Sequence, residues 1–342
     1  MQRRDPQRRP TSRDVAVAAG VSRTTVSYVI NQRTSGAIRI SDETRRRVWD
    51  AARALDYQPL RAAQSLRLQR SKAIAVLVPQ VEDSIWGPWA LAMQREVERA
   101  GYQCLVFGLP PGSRRTVAAV DSLLRSGVDG LIAHSDQVSD QHLERLAQAG
   151  IAAVLHGAES AHGLTDSVGV DEDTAAAEVL AHLVAKGHQR IAAISGPSSR
   201  KSWRARKEGY LAALKAHHLP RNEAYVFESE VTWGYGAWAL RHLLALPEPP
   251  TAVLAADDLL ALDALLYAVD AGLAVPDELA IVGYGDIPSA RLVRPRLSTV
   301  RWETRDVAVA AVSMLTERIE SDQPLPARHR TVDYALIARE SS

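Results

Sequence analysis

Two patterns of apolar and polar positions divide the chain. Up to about residue 60 apolar residues recur every three or four positions in short segments, and from residue 73 onward apolar runs of strand length alternate with amphipathic stretches. In the first region Thr11 with Asp14 three residues later has the form of a capping box. Val15, Ala18 and Ala19 then fall at helical spacing, and Gly20 supplies the left-handed conformation that ends a helix. Ser22 predicts the cap of a second helix from Arg23 to about Ile30. Val26, Val29 and Ile30 share one face of it, which turns Arg23, Thr24, Ser27 and Tyr28 the other way. Ser41 predicts the cap of a third helix, whose stripe of Val48, Ala51, Ala52 and Leu55 packs under the first two. The expectation is an N-terminal all-α helix-turn-helix domain.

The second region repeats a different unit. Apolar runs IAVLVP (74–79), CLVFG (104–108), GLIAH (130–134), AAVLHG (152–157), RIAAIS (190–195), AYVFES (224–229), TAVLAA (251–256) and LAIVGYG (279–285) are separated by helical stretches such as GPWALAMQREVERAGY and DTAAAEVLAHLVAKGH. Strands this apolar, joined by helices, predict doubly wound parallel sheets covered on both faces, here in two α/β lobes. In such sheets ligands bind beyond the carboxyl ends of the strands, so the loops after each run are the expected site.

Charge sharpens the picture. Over residues 1–72 there are 16 Lys and Arg against 6 Asp and Glu, while residues 73–342 carry 25 against 34, so the net +1 conceals a basic head on an acidic body. A basic helix-turn-helix head fits a polyanion bound through phosphate contacts. Residues 1–10, with Arg3, Arg4, Arg8 and Arg9, read as a disordered basic arm. With 342 residues, 46% of them hydrophobic, the chain holds ample core material for a small domain and larger lobes. No apolar run approaches the ~18 residues needed to span a bilayer, and the expectation is a cytoplasmic protein. Cys104 stands alone within an apparent strand and reads as core filler.

With these parts in this order, the chain resembles the lactose repressor family of bacterial transcriptional regulators. The resemblance runs from Thr11 to Glu340 and is carried by DVAVAAGVSRTTVSYVIN, SDETRRRVWDAARALDYQP, IAVLVP, SVGVDEDTAAAEVLAHLVAKGHQRIAAISG and PDELAIVGYGDIPSARLVRPRLSTVRW. It implies a second domain of the periplasmic-binding-protein type. The organisation it suggests is a basic arm (1–10), a helix-turn-helix domain (11–57), a hinge (58–72) and an effector-binding and dimerisation domain (73–342). Within that domain lobe one takes about 73–170 and 301–330, and lobe two about 171–300 and 331–342.

By resemblance Arg23, Thr24 and Tyr28 read base edges, while Thr11, Thr25, Ser27 and Asn31 contact phosphates or sit at helix ends. Tyr28 stands where most relatives carry Arg. The hinge QPLRAAQSLRLQR looks like a coil that becomes helical only on DNA, with Leu66 as the minor-groove wedge and Ala63 as the small residue allowing close approach. Leu60 replaces the Asn that usually begins it, removing a helix cap.

The resemblance further implies an effector held between the lobes, with Asp83, Trp86 and Arg206 on the family's ligand contacts and Arg206 the foremost candidate; the strand-end topology adds His134, Asp136, Trp233 and Asp257, with Tyr284 to Asp286 at a like position. A guanidinium grips vicinal hydroxyls or a carboxylate alike, so it leaves the ligand class open. Asp257-Asp258 replaces the family's usual Asn-Asp, and Gly285-Asp286 its usual Asp-Asp; such carboxylates suit polyols or equally a cationic ligand. His134, His156 and His188 lack the paired spacing of metal ligands, and only His134 is placed in the cleft.

The reading is therefore a regulator, by default a repressor, that binds a near-palindromic operator as a homodimer under control of a sugar or related metabolite. No cofactor, metal or catalytic residue is expected. An α/β enzyme acting on a small metabolite, or a solute sensor without gene-regulatory role, is the alternative; no phosphate loop, G-x-S-x-G elbow or H-E-x-x-H motif supports the former.

Overall fold

The computed structural model describes residues 10–30, 40–57, 70–79, 85–109, 114–160, 162–228 and 233–342. The chain divides into two compact units, residues 1–71 and 72–342.

In the first unit, α1 (Ser12–Ala19) starts where the Asp14 carboxylate accepts hydrogen bonds from the Thr11 amide at 2.8 Å and its hydroxyl at 2.7 Å. Gly20 ends it at φ 63°, a conformation that costs a glycine nothing and other residues a good deal. Ser22 then caps α2 (Arg23–Ile30), its Oγ accepting from the Thr25 amide at 3.0 Å. Ser41 does the same for α3 (Asp42–Ala54) through the Thr44 amide. Val15, Ala16, Ala19, Val26, Val29, Val48, Ala51 and Ala52 form the core, with Ile30 and Leu55 packed at its edge. One expectation fails here. Ala18 lies on the solvent side of α1, and Ala16 fills the core position instead, because α3 packs nearer the Val15–Ala16–Ala19 edge of the helix.

The second unit contains two six-stranded sheets. The first runs β11 (His329–Thr331), β5 (Asp166–Gly169), β4 (Ala152–His156), β3 (Gly130–His134), β1 (Ala73–Val78), β2 (Gln103–Gly108), all parallel. Around it lie α4 (Trp86–Arg99), α5 (Arg114–Ser126), α6 (Asp140–Gln148) and α11 (Thr304–Glu320). The second runs β12 (Tyr334–Ile337), β10 (Ser298–Trp302), β9 (Ala280–Tyr284), β8 (Ala252–Ala255), β6 (Ile191–Ser195), β7 (Val226–Glu228). Its helices are α7 (Glu172–Ala185), α8 (Lys201–Ala216), α9 (Tyr235–Leu244) and α10 (Asp258–Asp270).

Each of the eight apolar runs contains a strand, and the doubly wound two-lobed fold stands. Four strands escape the apolar-run pattern: β5, β10, β11 and β12 are short or carry polar residues. The last of them pairs antiparallel with β10, so the second sheet is parallel except at that edge. AYVFES is only partly a strand, since a 3-10 turn takes Glu223–Tyr225 before β7 begins. Of the late strands, β10 of the second sheet ends at Trp302 and β11 of the first sheet ends at Thr331.

Every residue of β1, β3, β6 and β9 is buried, as two-sided coverage requires. Two apolar clusters fill the outer faces of the lobes, and a third joins residues of both lobes, from Trp89 and Val168 to Val300 and Trp302.

Candidate functional site

On α2 the buried Val26 and Val29 fix the helix orientation, leaving Arg23 and Thr24 exposed and Ser27 and Tyr28 partly exposed. A solvent-facing strip of these residues on a short capped helix is what a major-groove reader needs. The Thr11 hydroxyl is engaged with Asp14, and the Thr25 hydroxyl lies 2.9 Å from Ser22 Oγ, so both belong to helix starts. Asn31, Ala63, Leu66 and the rest of hinge residues 58–69 fall outside the described residues, as does Asp83 in the second unit.

In the second unit the strand ends build a cleft between the lobes. Parallel register pairs His134 with His156 at the ends of β3 and β4. Their rings lie 5.6 Å apart, and Trp86 at the start of α4 meets His134 edge-on at 4.7 Å. His156 stacks on Trp89 at 5.3 Å and meets Trp302, from the other lobe, at 5.1 Å. Burial, reinforced by Arg206 and Arg200, pushes the His134 imidazole down to about 3. Burial lowers His156 well below the usual histidine range too, with His134 and Arg206 adding to it. Both rings are therefore neutral at physiological pH. The Asp136 amide donates to His134 Nδ1 at 3.3 Å, which places the ring proton on Nε2. His156 Nδ1 is buried with no hydrogen-bond partner among the described residues.

Arg206 faces this aromatic wall from α8. Its Nε and Nη2 donate to the two carboxylate oxygens of Glu172 at 2.7 and 3.1 Å, and its Nη1 donates to the Ala256 carbonyl. Its guanidinium carbon lies 3.6 Å from the centre of the Tyr284 ring. Burial alone would lower the Arg206 pKa, but Glu172 outweighs it and the net shift is upward. Gly209 makes the arrangement possible. A Cβ there would come within 2.2 Å of the Asp173 carbonyl oxygen, so only glycine lets α8 approach the first turn of α7, where Glu172 stands.

Two carboxylates complete the cleft. Asp257 caps α10 through the Leu259 amide at 2.8 Å, and burial raises its pKa against the pull of that bond and of Arg206. Burial also raises Asp136, against Arg200 and Lys201 at the start of α8. Lys201 Nζ reaches the Glu159 carbonyl across the cleft at 2.7 Å. The structure thus brings together Trp86, His134, Asp136, Arg206 and Asp257. Trp233 is about half exposed and makes no ring contact with this cluster among the described residues.

Asp286, expected near the cleft, is held by Arg291 and Arg339 at 2.5 Å each. Asp258 is fully buried, bonded to the Thr299 hydroxyl and the Ile287 amide. His188 meets the Thr251 hydroxyl in the turn before β6, whereas His156 packs beside His134 among the tryptophans of this cluster. The signal was present, for GLIAH and AAVLH end consecutive strands in the same residue. Glu172, Trp89 and Trp302 were likewise not singled out from sequence.

Comparison with known proteins decides what this assembly is. Residues 11–59 match the family described as bacterial regulatory proteins, lacI family, and residues 180–342 match the periplasmic binding protein-like domain. The chain belongs to the lacI family. Like other members of this family, it is a DNA-binding transcriptional regulator with a ligand-binding domain. It is 29% identical over 313 residues to the HTH-type transcriptional repressor PurR of Actinobacillus pleuropneumoniae serotype 3, covering 92% of each chain. It is 28% identical to catabolite control protein A of Priestia megaterium, over 95% of this chain and 94% of that one.

Among solved structures, the lac repressor dimer bound to operator and the anti-inducer ONPF matches 98% of the chain, and 99% of that one, with TM-score 0.85 and 26% identity. The CelR-cellobiose complex matches 98% of this chain and 100% of that one, with TM-score 0.74 and 29% identity. These relatives are regulators rather than enzymes. No helix among the described residues is long and apolar enough to cross a membrane.

Proposed function

We propose that this lacI-family chain is a repressor that binds a near-palindromic operator as a homodimer. In this reading Arg23, Thr24 and Tyr28 of α2 read bases, and a ring-shaped metabolite, a sugar or a related compound, binds between the lobes and sets operator affinity. Arg206, His134, Trp86, Asp136 and Asp257 hold that metabolite, together with His156. Asn31, Ala63, Leu66 and Asp83 retain the roles the resemblance implies for them, and Trp233 offers a further stacking face for the ligand.

The observation that carries the reading is the constellation at the strand ends: a buried, already paired guanidinium opposite two neutral histidines and three tryptophans contributed by both lobes. Aromatic faces suit the apolar face of a sugar or heterocycle, and the polar groups between them suit its rim. PurR, catabolite control protein A, the lac repressor and CelR, all regulators by name, support repression under effector control. Occupation of the cleft biases the lobe arrangement, and through it the two DNA-binding heads of the dimer, by differential affinity for two states.

A thermal-shift screen of sugars, polyols, nucleobases and amino acids against wild type and Arg206→Ala tests the cleft. A compound that stabilises the wild type and not the variant is the expected result. If every stabilising compound acts equally on both, the cleft is not the effector site.

A further inference from the structure

We propose, resting on the reading of the cleft as the effector site, that Glu172 determines the charge of the ligand. By pairing with Arg206 through two parallel hydrogen bonds it cancels the guanidinium charge, so the cleft takes an uncharged molecule and refuses phosphate- or carboxylate-bearing ones.

The pair is tight and sheltered, with side-chain exposures of 11% for Arg206 and 15% for Glu172. A guanidinium has five N–H donors. Three are used, two on Glu172 and one on the Ala256 carbonyl, so two remain without a partner among the described residues. Those two can serve hydroxyl, ether, carbonyl or ring-nitrogen acceptors, none of which needs to carry charge.

The surroundings hold groups of both signs. Arg206 of α8, with Arg200 and Lys201 at the start of that helix, supplies the basic groups. Glu172 from α7, Asp136 from the lobe-one loop after β3 and Asp257 at the start of α10 are the carboxyl groups that face them. The two histidines add nothing, being neutral. An anion entering this cleft would meet the Glu172 carboxylate on the same guanidinium it seeks. Removing that one carboxylate leaves an excess of one positive charge located on a buried Arg, an arrangement costly unless an anion fills it.

The test uses the full-length chain in chloride-free buffer with inorganic phosphate as the anion probe, read by thermal unfolding and titration calorimetry. Wild type should bind no phosphate in the cleft. Glu172→Gln should bind it at a concentration at least about tenfold lower than any binding by wild type, the worth of a charge-assisted hydrogen bond. That gain should vanish in the double variant Glu172→Gln/Arg206→Ala, and phosphate should raise the unfolding midpoint of Glu172→Gln toward that of wild type. Glu172→Asp, which keeps the charge, should gain nothing.

Phosphate binding to wild type that is lost in Arg206→Ala overturns the proposal. So does a Glu172→Gln protein that gains no phosphate binding, or an Asp variant that gains as much as the Gln variant. A sugar or nucleobase that stabilises wild type and Arg206→Ala equally sinks the effector reading instead, because the phosphate comparison reports on the charge of Arg206 itself.

Discussion

Arg206 illustrates what a single residue in a sequence can and cannot disclose. The resemblance marked it as a candidate ligand contact, yet its partner Glu172 lies 34 positions away, and only the packing of α8 on α7 joins them. His156 went unrecognised because a lone histidine at a strand end ordinarily belongs to the scaffold, and the register that pairs it with His134 is a property of the sheet. Protonation follows from the same burial. A histidine lowered in the folded state contributes stability that is full above its unfolded value near 6.5 and is lost as pH falls below it. Replacing His134 with Gln should therefore flatten part of the stability loss that wild type shows between about pH 6.5 and 4 in urea unfolding; an unchanged slope would mean His134 is not held neutral.

Asp258 runs the other way, since burial pushes its carboxyl up to about 7. A raised carboxyl binds a proton in the folded state that the unfolded chain has released, so its contribution falls as pH rises from about 4 to 7. Asp258→Asn should remove that component, read as the difference between the two pH–stability curves. Equal slopes would refute the assignment.

At the scale of elements, the three helices of the first unit were legible because caps and turns are local chemistry. Thr11, Gly20, Ser22 and Ser41 each stand where the chain needs them, and the predicted limits of α2 coincide with those observed. Ala18 was misplaced because a short helix offers two adjacent apolar edges, and only the third helix selects one. The strands β5, β10, β11 and β12 were invisible to a search for apolar runs, since edge and crossover strands are short and half polar. Each element yields a quantitative expectation. Val26→Ala, which empties part of a very small core, should cost about 2 kcal/mol and abolish DNA binding by loosening α2. Arg23→Ala should leave stability unchanged and lower discrimination at one base by about 1–3 kcal/mol, measured as the affinity ratio between matched and substituted duplexes. Gly209→Ala should separate α8 from α7 and weaken effector binding although Arg206 itself is intact; full effector affinity in that variant would contradict the role given to the close approach.

The whole molecule combines a basic head with an acidic body, 16 Lys and Arg against 6 Asp and Glu up to residue 72 and 25 against 34 beyond it. The two-lobed architecture and the order of domains could be read from alternating apolar runs, because those runs report two-sided burial directly. The candidate cleft could be read only in part, because it is assembled from strand ends that are far apart in sequence. The charge asymmetry requires operator binding to be steeply salt dependent, with affinity falling by about 10³–10⁵ between 50 and 200 mM salt if 6–10 phosphates are contacted.

In the proposed function, cleft and operator are thermodynamically linked. This linkage is read from the affinity of the full-length chain for a duplex selected from a random library, with and without a metabolite that stabilises the wild type. A change of about 5- to 150-fold that disappears in Arg206→Ala is the expected result. A selected duplex bound no better than scrambled DNA, or an affinity the metabolite leaves untouched, would contradict it.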